Sequence, residues 1–206
     1  SDGFDDLVVG VPGEDTGGAD DTGMIAVLFG SEDGLLPSNS ESVTQNSVAN
    51  ASNENGDQFG YSLAIGNFDG DAFQDLAVGI PFENTGGASD TGLIAILFGS
   101  SSGLLPSRTE VFTQNSITNA TNENGDRLGH ALATGNFDGD AFDDLAVSAP
   151  NEKINGVEDV GLIGILYGSQ NGLIPSRSTS VTNISANDNG SGDLAGFSLA
   201  TGNLDG

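Results

Sequence analysis

The chain has 206 residues and carries 4 Lys and Arg against 30 Asp and Glu, for a formal net charge of −26, with 32 glycines and 6 prolines. Clustered Lys and Arg, which nucleic-acid phosphate or an anionic membrane surface requires, are missing. No apolar run approaches the ~18 residues that cross a bilayer. With no cysteine and one histidine, a disulfide framework, a thiolate metal site and Ser-His-Asp or Cys-His catalysis fall away.

Read in order, the chain shows a repeat. Asp6-Leu-Val-Val-Gly10 returns as Asp75–Gly79 and Asp144–Ser148, each step 69 residues. Gly23–Gly30 returns at Gly92–Gly99 and Gly161–Gly168, and Thr44 at Thr113 and Thr182, with the same step. After Thr182 the third copy is two residues shorter, so Gly125 is answered by Gly192. Each copy reads as four short strands. In the best-defined copy these are Phe59–Phe68, Asp75–Ile80 closed by Pro81, Leu93–Phe98, and one near Glu110–Gln114. Runs of β-favouring residues bounded by Gly, Asn, Asp and Pro carry that reading. No segment keeps a helical period, so the expectation is an all-β chain of four-stranded propeller blades. A stacked solenoid competes, but its repeats are usually about half this length.

Between the first and second strand of each copy lies an acidic loop. The first is Asn67-Phe-Asp69-Gly-Asp71-Ala-Phe73-Gln-Asp75, and the second is Asn136-Phe-Asp138-Gly-Asp140-Ala-Phe142-Asp-Asp144. Side-chain oxygens fall at loop positions 1, 3, 5 and 9, and position 7 can offer its carbonyl. Ca²⁺ takes six to eight oxygens in adaptable geometry, whereas Mg²⁺ demands a stricter octahedron, so this donor set points to Ca²⁺. A halophilic surface would explain the acidity but not this placement. A third loop is split: Asn203 and Asp205 supply positions 1 and 3, while Asp2, Phe4 and Asp6 match positions 5, 7 and 9. The expected organisation is one propeller region. Residues 1–51 supply strands two to four of a composite blade, 52–120 and 121–189 form two whole blades, and 190–206 carry the composite blade's first strand.

These motifs resemble the FG-GAP repeats of integrin α-subunit propellers and of related bacterial surface proteins. The Phe-Gly element is Phe59-Gly60, then Leu128-Gly129 and Ala195-Gly196. The Gly-Ala-Pro element is Gly10-Val11-Pro12, Gly79-Ile80-Pro81 and Ser148-Ala149-Pro150. Asn replaces the usual first Asp of the loop. The resemblance implies a propeller, bound Ca²⁺ and an extracellular or cell-surface setting, but no particular ligand. Family propellers have about seven blades and ring closure takes ~4–8, so three copies do not close a ring. The repeat is also longer than the family's usual one, with extra length expected in the Ala49–Gly56 and Glu14–Thr22 loops.

The functional expectation is a calcium-binding module for adhesion or surface assembly, with calcium structural. The alternatives are a head-to-tail filament or matrix subunit joined through the split blade, and a carbohydrate-binding or carbohydrate-active propeller. An enzyme is not expected, because the regularly placed aspartates are assigned to metal and no unrepeated carboxylate pair stands out. Partners are an unspecified protein or glycan, and further copies or blades meeting at the termini. The chain starts at Ser1 and its one methionine is Met24, so it reads as processed or as a piece of something longer. Sequons at Asn50, Asn119, Asn183 and Asn189 are candidate glycosylation sites. His130 aligns with Tyr61 and Phe197 as a strand packing position, and Leu35, Leu104 and Leu173 repeat as blade packing.

Overall fold

A computed structural model describes residues 3–38, 40–48, 51–182 and 190–204. Within these, eleven strands form three antiparallel sheets. Strands β1 (Leu7–Val11), β2 (Met24–Leu28) and β3 (Ser40–Thr44) form a three-stranded sheet. Strands β4 (Ser62–Gly66), β5 (Asp75–Ile80), β6 (Leu93–Leu97) and β7 (Thr109–Phe112) form the second sheet. Strands β8 (Leu132–Gly135), β9 (Asp144–Ala149), β10 (Leu162–Tyr167) and β11 (Ile174–Val181) form the third. Each sheet is a meander in which neighbours in sequence are neighbours in space, and the sheets do not close into a ring. Two single 3-10 turns, Gln45–Ser47 and Gln114–Ser116, follow β3 and β7.

The blades stack face to face, and stacking rather than sequence decides which strand residues are buried. Met24–Leu28, Leu93–Leu97 and Leu162–Tyr167 have nearly the same sequence, yet every residue of β6 is buried while β2 and β10 alternate. The even residues Ile94, Ile96 and Phe98 face a core shared with the third blade through Leu145, Val147 and Leu162. The odd residues Leu93, Ala95 and Leu97 face a core shared with the first blade through Ile25 and Val43. This is the two-sided burial expected of a sheet covered on both faces. Leu173 and Leu104 pack toward the preceding blade in the same way, whereas Leu35 of the first blade is exposed.

The Phe-Gly and Gly-Ala-Pro elements meet at these seams. Phe59 and Leu128 are fully buried. Gly60 and Gly129, at φ of 87° and 86°, turn the chain so that their carbonyls point at Gly10 and Gly79 of the preceding blade. Any Cβ on Gly10 or Gly79 would collide with that carbonyl. This left-handed turn also explains why the inner strand begins at Ser62 rather than Phe59: Phe59 keeps only a single bridge to Gly23. The extra loops clasp across the same seam. Asn53 Nδ2 donates to Thr16 Oγ1, and the Asp20 N–H donates to Asn55 Oδ1 at 3.0 Å. Asn122–Thr85 (2.5 Å) and Ser89–Asn124 (2.9 Å) repeat these contacts one blade on.

Described residues 190–204 form no strand, but they lie where the inner strand of a following blade would lie. The Thr201 hydroxyl donates to the Thr134 carbonyl, and the Ala195 N–H donates to Val160 O at 3.0 Å as Leu128 does to Thr91. A strand needs a ladder partner, and this segment has none among the described residues. His130 packs as its alignment predicts, its ring between Tyr61 (5.1 Å) and Phe197 (4.7 Å).

The seam geometry makes one substitution diagnostic. Gly79→Val is expected to lower unfolding free energy by roughly 1–3 kcal/mol or more, the range for overpacking, read as a lower urea midpoint. An unchanged midpoint would mean that the seam can open to admit a side chain.

Candidate cation-binding loops

Each acidic loop is wound by its own side chains. In the first, the Asp71 N–H donates to Asp69 Oδ1 (3.0 Å), the Phe73 N–H to Asp71 Oδ1 (2.7 Å), and Asn67 Nδ2 to the Asp71 carbonyl (2.7 Å). The second repeats this with Asp140 to Asp138 (3.1 Å), Phe142 to Asp140 (2.8 Å), and Asn136 Nδ2 to the Asp140 carbonyl (2.5 Å). Short acidic side chains that accept from the backbone two residues on are what bend such a loop. The carboxylates at positions 3 and 5 therefore turn toward the loop interior.

The aspartate at position 9 does a second job. Asp75 starts β5 and is almost fully buried; it accepts from the Phe68 N–H (2.9 Å) and the Gly99 N–H (3.0 Å), tying the loop to the end of β6. Asp144 does the same for Phe137 (2.7 Å) and Gly168 (2.9 Å), and Asp6 accepts from Gly30 (2.9 Å). Burial pushes the Asp75 carboxyl up to about 6 against the pull of its two backbone donors, and the charges of Asp69 and Asp71 add to it. Asp144 is raised for the same reasons, burial first, then Asp138 and Asp140.

In the second loop Asp138, Asp140 and Asp144 each bring a carboxylate oxygen within 4.8 Å of the others. In the first, Asn67 Oδ1 is buried and without a hydrogen-bond partner. A gathered triple carboxylate and an orphaned buried acceptor at position 1 both fit a hard cation, which would relieve the crowded charge and satisfy the amide oxygen. The residues that would hold it are Asn67, Asp69, Asp71, Asp75 and the Phe73 carbonyl, and Asn136, Asp138, Asp140, Asp144 and the Phe142 carbonyl. Of the split loop, Phe4, Asp6 and Asn203 are described, while Asp2 and Asp205 lie outside the described residues, as do Asn50, Asn183 and Asn189. Asn119 is an exposed turn residue at φ 62°.

The structure adds partners that the loop sequence does not announce. Arg108 pairs with Asp69 (2.8 Å) while stacking on Phe98, and Arg177 pairs with Asp138 (2.7 Å) near Tyr167. The two arginines and the two aromatic residues are each 69 apart, a recurrence visible in the sequence once the period is known. The loops are also chained to each other. The Asn67 N–H donates to Asp143 Oδ2 (2.8 Å), the Asp143 N–H returns to the Asn67 carbonyl (3.0 Å), and the Phe142 ring covers Gly70.

The double role of position 9 separates two variants. Asp75→Asn turns an NH₂ against a backbone N–H and is expected to cost about 1–3 kcal/mol even in chelator. Asp71→Asn, at an exposed position, should leave chelator stability within about 0.5 kcal/mol. Equal losses in paired urea titrations would refute the assignment of Asp75 as the loop's anchor.

The FG-GAP repeat family model matches residues 1–28, 59–97 and 128–166, one segment per blade and about half of the chain. The chain is 30% identical over 166 residues to a phosphatidylinositol-glycan-specific phospholipase D of Rattus norvegicus, covering 81% of this chain and 19% of that protein. It is 28% identical over 166 residues to the Homo sapiens phospholipase D of the same name, again 81% of this chain and 19% of that one. It is 35% identical over 128 residues to integrin alpha-PS2 of Drosophila melanogaster, covering 60% of this chain and 9% of the integrin. The chain thus spans about a fifth or less of the curated relatives it matches. Matching segments that each carry a Gly-Ala-Pro seam, two of them with a whole Asp-rich loop and the first with the second half of one, on blades of this topology, make the chain a member of the FG-GAP repeat family.

Proposed function

We propose that the chain is a calcium-stabilised propeller module of an extracellular or cell-surface protein, which serves adhesion or surface assembly and is not itself an enzyme. The observation that carries the calcium reading is the convergence of Asp138, Asp140 and Asp144 on one point of a loop whose counterpart leaves Asn67 Oδ1 buried and unpartnered. When bound, the ion supplies charge neutralisation. The chain's own residues pin the hairpin between inner and second strands and hold Asp75 and Asp144 against the ends of β6 and β10. The surface setting follows the resemblance to integrin α-subunits. Among the described residues no helix is long and apolar enough to cross a membrane. The phospholipase name belongs to relatives matched over 19% of their length, and the binding role proposed here rests on the loops.

A second reading, assembly through added strands, is favoured by β1. In the other blades the equivalent strand is paired on its inner side, whereas β1 has no inner neighbour among the described residues and leaves Leu7 45% and Val9 38% exposed. Leu199-Ala-Thr-Gly202 repeats Leu132-Ala-Thr-Gly135 of β8 residue for residue. A strand of that kind, from a further blade of a longer chain or from a second copy, would complete the sheet.

Calcium at about 100 times its Kd should add about 2.7 kcal/mol per occupied site. The melting temperature should rise in calcium and return in chelator, and Asp138→Asn with Asp140→Asn should remove one site from a calorimetric titration. Identical melting in calcium and chelator would sink the calcium reading. Light scattering tests assembly separately: a multimer that dissociates in chelator supports strand exchange at β1, and a monomer in both conditions removes it.

A further inference from the structure

A second set of acidic residues, away from the cation loops, is buried at the seams between blades. Gln45, in the turn after β3, reaches across from the first blade, and its Nε2 donates to Glu83 Oε2. Glu83 follows Pro81 at the end of β5, and Asp57 lies in the loop entering β4, within hydrogen-bond reach of both. The arrangement recurs at the next seam with Gln114, Glu152 and Asp126. All six side chains are buried, the two glutamines completely. The remaining oxygens are accounted for on one side only: Asp57 Oδ2 accepts the Glu54 N–H (2.7 Å) and Asp126 Oδ2 the Glu123 N–H (2.6 Å), while Gln45 Oε1 and Gln114 Oε1 have no partner. The equivalent residue of the first blade, Glu14, is exposed.

The charges that bear most on each triad's carboxyl groups are acidic. Asp57 and Glu83 face each other and Glu54; Asp126 and Glu152 face each other and Glu123. Three of the 4 basic side chains form ion pairs elsewhere, Arg108 to Asp69, Arg177 to Asp138 and Lys153 to Glu158, while Arg127, next to Asp126 in sequence, lies over the Phe82 ring at 5.0 Å. Two carboxylates buried in contact without a cation repel strongly and forfeit hydration, so the pair cannot stay doubly ionised at low cost. In each triad the glutamine turns its amide NH₂ to the glutamate carboxyl group.

We propose that each Gln–Asp–Glu triad holds one proton between its two carboxyl groups and acts as a pH-sensitive latch between adjacent blades, closed while the proton is present and weakened when it leaves. The proton belongs to the pair rather than to either residue. Burial, then the neighbouring aspartate charge, pushes Glu83 and Glu152 from the ordinary 4.5 up to about 7, and burial pushes Asp126 up to about 6. Because the folded chain binds this proton more tightly than the unfolded chain, the latch's contribution is full below the ordinary glutamate value. It declines as pH rises and is gone above about 7. This direction is opposite to that of a carboxylate held by a salt bridge.

The test is thermal melting in chelator, from about pH 5.5 to about 8.5, of the wild type, of Glu83→Gln with Glu152→Gln, and of Glu32→Gln with Asp33→Asn. The last pair removes two exposed charges and controls for overall repulsion. The wild type and the control should lose melting temperature as pH rises. The Glu83/Glu152 variant carries an amide in place of each protonated acid and should show about half that loss or less. Parallel curves overturn the proposal. Should the variant fail to fold, carboxyl ¹³C titration of the wild type decides: a glutamate carbon still titrating above about pH 6 supports the latch, and completion of all carboxyls below it refutes it. If the variant binds two fewer calcium ions per chain than the wild type, the triads hold metal rather than a proton, and the proposal falls.

Discussion

Two backbones can approach as closely as Gly79 and the Gly129 carbonyl only where neither residue carries a side chain in the way, and the blade stack is organised around that approach. Gly60 and Gly129 direct their carbonyls at the preceding blade only because they occupy left-handed backbone that other residues avoid. Once the seam is that tight, the flanking faces are sealed, and the alternating faces of β6 both become interior. The same contact fixes how far apart the loops at one end of the blades lie. It thereby sets which loop residues can bond to the neighbouring loop and which acids are trapped between blades.

A chain with so few basic residues must manage its negative charge locally. Three devices are visible. Backbone N–H groups absorb the carboxylates at loop positions 3, 5 and 9. Two of the 4 basic residues are placed on the position-3 aspartates, each leaning on an aromatic ring. The seam acids are paired with each other and with a glutamine. None of these neutralises the whole surface, which keeps the chain strongly anionic and makes it sensitive to counter-ions in its medium.

Much of this was legible in the sequence, because a repeat compares a chain with itself. The limits of β5 and β9 follow from Asp75–Ile80 and its echo, and β6 ends one residue short of the expected Leu93–Phe98. The loop residues were equally plain. What periodicity cannot say is which equivalent residues touch. Arg108 and Asp69 are 39 positions apart, Gln45 and Glu83 are 38, and their pairing follows from the stacking distance alone. A signal for the seam triads did exist: Gln45 and Gln114, Glu83 and Glu152, and Asp57 and Asp126 keep the 69-residue step at positions outside the acidic loop. Composition extends the inner strand to Phe59–Phe68, but β4 covers Ser62–Gly66, because Phe59-Gly60 serves the seam and Asn67-Phe68 belongs to the loop.

The two acidic loops differ at one of nine positions, Gln74 against Asp143, yet they are not the same physical object. The first is roofed by the Phe142 ring, stitched to Asp143 and keeps Asp69 buried, while nothing stands within 4 Å of where a side chain on Gly139 would be. Both loops are wound by the same internal hydrogen bonds, but the first also leans on the blade that follows it. In a row of such blades, copying the motif therefore does not copy its surroundings. The first loop takes part of its shape from the next blade, so the same motif is held by different neighbours along the row.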